Sequence, residues 1–181
     1  MTAQSSPDES SGAKTVAYSR VTMSIMMQPQ DANPAGIVHG GVVMKHIDDA
    51  AGVVALRHTR CNVVTASIDR LDFHNPAFIG NLLSLKASMN LVGTTSMEVG
   101  VRVETEDLRT GEIRHTASAY LTFVALDENF RPRSVPPLVL ETDEDRRRNR
   151  QARDRRRVRL AEKTHEKSCR HGADSCGQPT E

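Results

Sequence analysis

Alternation dominates the middle of the chain. Apolar and polar positions alternate with period two in four blocks, 63–74, 82–92, 96–106 and 113–126, the pattern of half-buried strands. Asn75-Pro76 with Gly80, Gly93-Thr94 and Thr110-Gly111 separate them, all residues that favour turns. Ahead of them, residues 41–58 follow a helical period. Val43, Ile47, Ala50, Val54 and His58 share one stripe, and Met44, Asp48, Ala51 and Ala55 an adjoining one. A further strand is expected over 15–27, where Ala17, Ser19, Val21, Met23 and Ile25 share one parity, followed by a loop from Pro29 to Ile37 with Pro34 and Gly36 as breakers. A single long helix followed by a run of strands predicts an α+β fold, a curved antiparallel sheet wrapped around the helix.

The ends of the chain have a different texture. Residues 1–14 are mostly Ser, Gly, Pro and acid and are expected to lack fixed structure, leaving 15–140 as the folded domain. Residues 131–140 form a proline-punctuated exit. Residues 141–163 predict a charged helix, opened by Thr142 ahead of Asp143, Glu144 and Asp145, an N-cap and an acidic first turn. Because they carry almost no apolar stripe, the run RRRNRQARDRRRVR is expected to be a solvated face. No aromatic residue interleaves with it, so nucleic acid is not expected as a partner. Residues 164–181 are polar and are expected to be an unstructured tail.

Composition adds bounds. The 181 residues contain 3% aromatics and no Trp, so Val, Leu, Ile, Met and Ala must build the core. Three cysteines, Cys61, Cys169 and Cys176, are an odd count without paired spacing, which suggests a reduced, cytoplasmic setting. The N-terminus lacks the apolar region of a secretory signal, and no run is long enough to span a membrane. His39 and His46 stand seven apart rather than at the i, i+4 spacing of helical zinc sites, even with Asp48 nearby. His165, Cys169, His171 and Cys176 have loosely metal-like gaps but almost no apolar neighbours. No metal or cofactor is expected.

The chemistry concentrates in DANPAGIVHGGVVMKHIDDAAG, residues 31–52. A helix start presents unpaired N–H groups and partial positive charge. Gly40 and Gly41 let a ligand approach that backbone closely, so the N–H of Gly41 or Val42, beside His39, can hold a phosphate or an oxyanion. Two turns on, Asp48 lies on the stripe of Met44, Ala51 and Ala55, where a carboxylate must be paired, protonated or functional. Asp49, beside Val42, Lys45 and Gly52, is on a more exposable face. Asn33 alone is an ordinary turn residue. Thr65 and Ser67 can add hydroxyls, although the same alternation suits a half-buried strand.

Together with RHTRCNVVTASIDRLDFHNPAFIG, GTTSMEVGVRVE and ASAYLTFVALDENFRPRSVPPL, this stretch resembles the hot-dog-fold acyl-CoA thioesterases, in particular the cytosolic acyl-CoA hydrolases, over about residues 17–163. The resemblance implies hydrolysis of acyl-CoA to fatty acid and coenzyme A, with coenzyme A entering only as part of the substrate. It implies a catalytic pair at Asn33 and Asp48, with Asp48 as base or nucleophile, and a carbonyl-oxygen cradle at the glycine pair. Tandem relatives split that pair between two domains. This chain has one copy, so a homodimer or a trimer of dimers is implied, each site shared between subunits. An apolar tunnel would run between helix and sheet, lined by Met and Val residues near 42–56 and 63–68. Arg57, Thr94 and Ser96 are candidate coenzyme A contacts, although Arg57 and His58 also favour the dipole at the helix end. The rival expectation is a non-catalytic acyl-CoA-binding regulator on the same fold. A dehydratase is weaker, because its usual His motifs are not visible.

Overall fold

The computed structural model describes residues 12–173. Five strands form one antiparallel sheet: β2 (Val21–Met26), β3 (Asn62–Phe73), β4 (Leu82–Val92), β5 (Ser96–Asp107) and β6 (Glu112–Leu126), in the order β2-β4-β5-β6-β3. One face wraps the helix α2 (Gly40–Thr59). Leu83, Leu85, Val99, Val101, Ala117, Ala119, Leu121 and Phe123 meet Val43, Ile47, Ala50, Ala51, Val54 and Ala55 across that contact. The many alanines let helix and sheet approach closely, which is how an aromatic-poor chain reaches interior packing density.

The start of the domain differs from the expected strand. Lys14–Thr15 form a short strand β1, parallel to β7 (Leu138–Val139), and Val16–Ser19 make one helical turn, α1. Thr15 caps that turn through its hydroxyl, so Ala17 and Ser19 are not strand residues, whereas Val21, Met23 and Ile25 do share the inward parity of β2. Lys14 is thus structured, and residues 1–11 lie outside the described residues.

The charged helix α3 runs from Asp143 to Ala173, past the expected end at Lys163. The former tail positions 164–173 therefore belong to a helix, and 174–181 lie outside the described residues. Thr142 and Asp145 form the capping box, each side chain accepting from the other's backbone N–H at 3.1 Å. The helix is not simply solvated. Asp145, Asn149 and Ala152 are buried against the outer face of the sheet. Arg148 donates to Ser88 (2.9 Å) and Asn149 to the Asn90 carbonyl (2.7 Å). Arg155 stacks 3.6 Å over the Tyr120 ring and pairs with buried Glu98 at 2.6 Å, while Arg159 pairs with Asp69. Asn90 also reaches Glu98 across Gly100, where a Cβ would come within 2.5 Å of the Asn90 amide. A polar stripe docks this helix in place of the apolar stripe that its sequence lacks.

The exit segment is tied to α2 through His58. Its Nε2 donates to the Pro136 carbonyl at 2.9 Å, the Lys14 ammonium donates to the His58 carbonyl at 2.7 Å, and the His58 Nδ1 is buried without a partner among the described residues. Burial lowers the imidazole's pKa below its usual value near 6.5. The folded protein holds this ring neutral while the unfolded chain takes up a proton, so stability is full above pH ~6.5 and is lost as pH falls toward the depressed value. Thermal unfolding should therefore drop between pH 7 and 5. His58→Gln, which keeps a donor for Pro136, should flatten that dependence; an unchanged slope would contradict it.

Candidate active site

Two groups of functional side chains occupy opposite ends of one helical segment. The first surrounds the start of α2. The loop from Pro29 is fixed by a 3-10 turn (Pro29–Asp31), by bridges of Ala32 to Val38 and Ile37 to Phe78, and by the His39 N–H donating to the Asp31 carbonyl at 2.8 Å. Within it, the Asn33 side-chain oxygen accepts from the N–H groups of Ala35 (2.9 Å) and Ile37 (3.3 Å). Two N–H donors facing one atom identify it as oxygen and leave the amide nitrogen as the free end. Asn33 therefore acts outward as a donor.

His39 is the N-cap of α2, and its Nδ1 accepts from the Gly41 N–H at 2.9 Å. The Val42 N–H returns to the His39 carbonyl at 2.9 Å. Neither of the two N–H groups expected to hold an oxyanion is free. The N–H of Gly40 is: it has no acceptor among the described residues. The second glycine has a different reason. A Cβ on Gly41 would stand 3.0 Å from His39 Nδ1, so its absence makes room for the cap, while a Cβ on Gly40 would meet only Phe73 at 3.7 Å.

Gly40 and Asn33 line a cavity of about 310 Å³ with Val43, Phe73, His74 and Thr116 among the other walls. Among the described residues no carboxylate lines it, and the one titratable side chain in its wall is His74, stacked on His115 at 4.6 Å between centroids. Burial and nearby Arg102 hold the His115 pKa below the usual value. The cavity thus sits at the helix start: of residues 42–56 and 63–68 only Val43 lines it, and Ile47 and Val54 are packed shut against the sheet. Phe73 and His74 were not singled out from the sequence. Their signal was an aromatic at core parity at the end of a strand, just before the Asn75-Pro76 break.

The second group is Asp48 and Thr65. Asp48 is half-buried and accepts the Thr65 hydroxyl at 2.7 Å, whereas Asp49 is exposed and paired with Lys45 at 2.9 Å. Ser67 is not brought to them. β3 has bulges at Ala66 and Asp69, so Thr65 opposes core residue Phe123 while Ser67 opposes Thr122 on the outer face and donates to Asp69 at 2.8 Å. Asp48 lies eight residues from Gly40, about 12 Å along the axis, so one chain cannot aim both at one carbon. Arg57 is exposed farther along the helix and donates to the Arg20 carbonyl (3.3 Å), and Thr94 and Ser96 form the β4–β5 hairpin. None of the three reaches the cavity.

Comparison with known proteins places this arrangement. Residues 35–112 match the family model described as the thioesterase superfamily. A Bacillus subtilis protein described as an uncharacterized acyl-CoA thioester hydrolase is 43% identical over 127 residues, 70% of this chain and 74% of the relative. The cytosolic acyl coenzyme A thioester hydrolase of Mus musculus is 37% identical over 136 residues, 74% of this chain; the chain spans only 36% of that relative's length. Among solved structures, the Staphylococcus aureus acyl-CoA hydrolase in complex with butyryl coenzyme A and coenzyme A has TM-score 0.82 at 33% identity, covering 90% of this chain and 99% of that one. Forms of that enzyme carry single Ala replacements of an Asn, an Asp and a Thr, separated by 15 and 17 residues. An apo-hexameric acyl-CoA thioesterase has TM-score 0.80 at 38% identity, covering 83% of this chain and 96% of that one. For the capping role, His39→Ala should cost about 1 kcal/mol in urea unfolding; no loss would mean that the Nδ1 contact contributes nothing.

Proposed function

Since this chain belongs to the hot-dog thioesterase superfamily, we propose that it hydrolyses acyl-CoA thioesters to a fatty acid and coenzyme A, at sites completed by a second copy of the chain. The observation that carries this reading is a correspondence of spacing. Asn33, Asp48 and Thr65 stand in the same order, 15 and 17 residues apart, as the Asn, Asp and Thr replaced in the staphylococcal acyl-CoA hydrolase.

The two half-sites divide the chemistry. The cavity offers donors, the Gly40 N–H and the Asn33 amide, suited to the oxygen of a thioester carbonyl. Asp48 offers the carboxylate, held by Thr65. With Asp48 as base, water attacks the carbonyl carbon and gives its proton to the carboxylate, and the carbonyl electron pair moves onto the oxygen held by the donors. Collapse restores the carbonyl and expels the coenzyme A thiolate, which takes the proton back. With Asp48 as nucleophile, its oxygen adds to the carbonyl held by the same donors, the C–S bond breaks to release the coenzyme A thiolate and leave an acyl anhydride, and water opens the anhydride to the fatty acid and the Asp48 carboxylate, its proton going to the thiolate. Either route needs only water, with no cofactor beyond the coenzyme A of the substrate.

A partner supplies the missing half. β3 ends the sheet with one edge unpaired, and Val64, Ile68 and Phe73 are exposed along it, a surface that requires cover. Antiparallel pairing of two β3 strands about a two-fold axis lays the start of one beside the end of the other. That brings Asp48 and Thr65 of the partner subunit toward the cavity beside Phe73. A homodimer, or the trimer of dimers suggested by the hexameric relative, meets this need. Arg57, exposed and bonded to the Arg20 carbonyl beside β2, at the sheet edge opposite β3, remains a candidate for coenzyme A phosphates. A cytoplasmic location follows the name of the mammalian relatives, and among the described residues no helix is long and apolar enough to cross a membrane.

Asp48→Asn should lower kcat for acyl-CoA hydrolysis more than a hundredfold, over ~2.7 kcal/mol of barrier, in a folded oligomer. Asp49→Asn and His74→Gln should each keep kcat within about threefold, well under 1 kcal/mol. Asn33→Asp retains the oxygen that accepts from Ala35 and Ile37 but removes the donor, so it should fold normally and lose turnover. Release of free thiol from acyl-CoA reads all four. Turnover retained by Asp48→Asn, or lost with His74→Gln alone, would overturn the assignment.

A further inference from the structure

The bulges of β3 have a cause on the far side of the sheet. Without them, Thr65, Ser67, Asp69, Leu71 and Phe73 would share one parity and face the helix. Two hydrophilic side chains would then intrude on the core, and Ile68 would point away from it. The extra residues at Ala66 and Asp69 correct this: Ile68 comes opposite core residue Leu121, and Ser67 and Asp69 turn outward. Thr65 and Phe73 still both face inward, opposite Phe123 and Ala117.

The outward residues are held by a closed set of bonds. The Asp69 carboxylate accepts from Ser67 at 2.8 Å, from Thr122 at 3.2 Å, and from the Arg159 guanidinium of α3. Only 8% of the Asp69 side chain and 15% of the Arg159 side chain are exposed. A carboxylate this buried requires its cation, and bulges commonly re-aim a neighbouring side chain. Thr65 is the residue immediately before the first bulge, and its hydroxyl is the one that holds Asp48.

We infer that Arg159, through Asp69 and the bulged segment of β3, is a positioning residue for the Thr65–Asp48 pair, so that the C-terminal helix tunes turnover without touching substrate. This role rests on Asp48 being the acting carboxylate. When Arg159 is removed, Asp69 is left without a cation and seeks water. The bulge at Asp69 loses its outward anchor, and the backbone that aims Thr65 loosens. The loss falls on kcat, because the donors of the cavity and the substrate-facing walls of the partner half-site are unchanged.

The test is a double-mutant cycle on acyl-CoA hydrolysis. Arg159→Ala and Thr65→Val are each expected to lower kcat about tenfold, ~1.4 kcal/mol, with KM within about twofold and the oligomer intact. The double variant should be no slower than the slower single variant, because both lesions remove the same alignment. Arg159→Lys, which can still pair with Asp69, should recover most of the rate. If Arg159→Ala does not fold, Arg159→Gln takes its place in the same cycle, since it removes the cation while keeping much of the side chain's bulk. A folded Arg159→Ala or Arg159→Gln variant with wild-type kcat, or losses that multiply in the double variant, would overturn the inference. If Asp48→Asn is inactive while the Arg159 variants are unaffected, only this role falls. If Asp48→Asn is active, the assignment of the site itself fails.

Discussion

An α-helix rises about 1.5 Å per residue, and that rise decides how this protein can work. The free N–H of Gly40 and the carboxylate of Asp48 are fixed on the same helix, about 12 Å apart along its axis. Catalytic contacts to one carbonyl must all lie within about 3–3.5 Å of the reacting atoms. A single copy therefore carries a donor-lined cavity without a carboxylate and a carboxylate without a cavity. The unpaired edge of β3, the exposed apolar residues along it and the absence of an acid among the described residues around the cavity all fit the proposal that two copies exchange halves.

The large elements were legible because each has one clean period. Four alternating blocks became β3, β4, β5 and β6 with boundaries displaced by about a residue, and the stripe through Val43, Ile47, Ala50 and Val54 is the buried face of α2. Asn33 and Asp48 enter the proposed site through the resemblance, and the burial contrast of Asp48 with Asp49 was legible through helical phase. What escaped has physical reasons. Alternation assumes a constant period, so it cannot see that the two bulges in β3 reverse the parity between them and turn Ser67 to the outer face, away from Thr65. Helix-start logic counts unpaired N–H groups but cannot see that His39 consumes the one on Gly41, which left Gly40 as the available donor. α1 was misread because the alternation of Ala17 and Ser19 rests on small residues compatible with a helical turn.

The outer face of the sheet carries its own lesson. An arginine-rich segment without an apolar stripe reads as solvated, yet here Arg155 covers Tyr120 and pairs with Glu98, and Arg159 pairs with Asp69. A guanidinium combines a flat stacking surface with fixed donors, so a helix can dock through it on a sheet face furnished with Ser88, Asn90, Glu98 and Thr122. β3 then serves both layers. Its inward residues hold Asp48 and bound the cavity, and its outward residues hold α3.

The central claim, that each site is built from two copies, is tested most directly by complementation. Asn33→Ala and Asp48→Asn chains, each inactive alone, are dissociated, mixed and reassociated, with a mass tag to prove exchange. Random pairing makes about half of the dimers mixed, and in each of them one shared site is intact while the other carries both lesions, so about a quarter of wild-type activity should return. Proven exchange with no recovery would contradict the claim, because it would place Asn33 and Asp48 of each site on one chain.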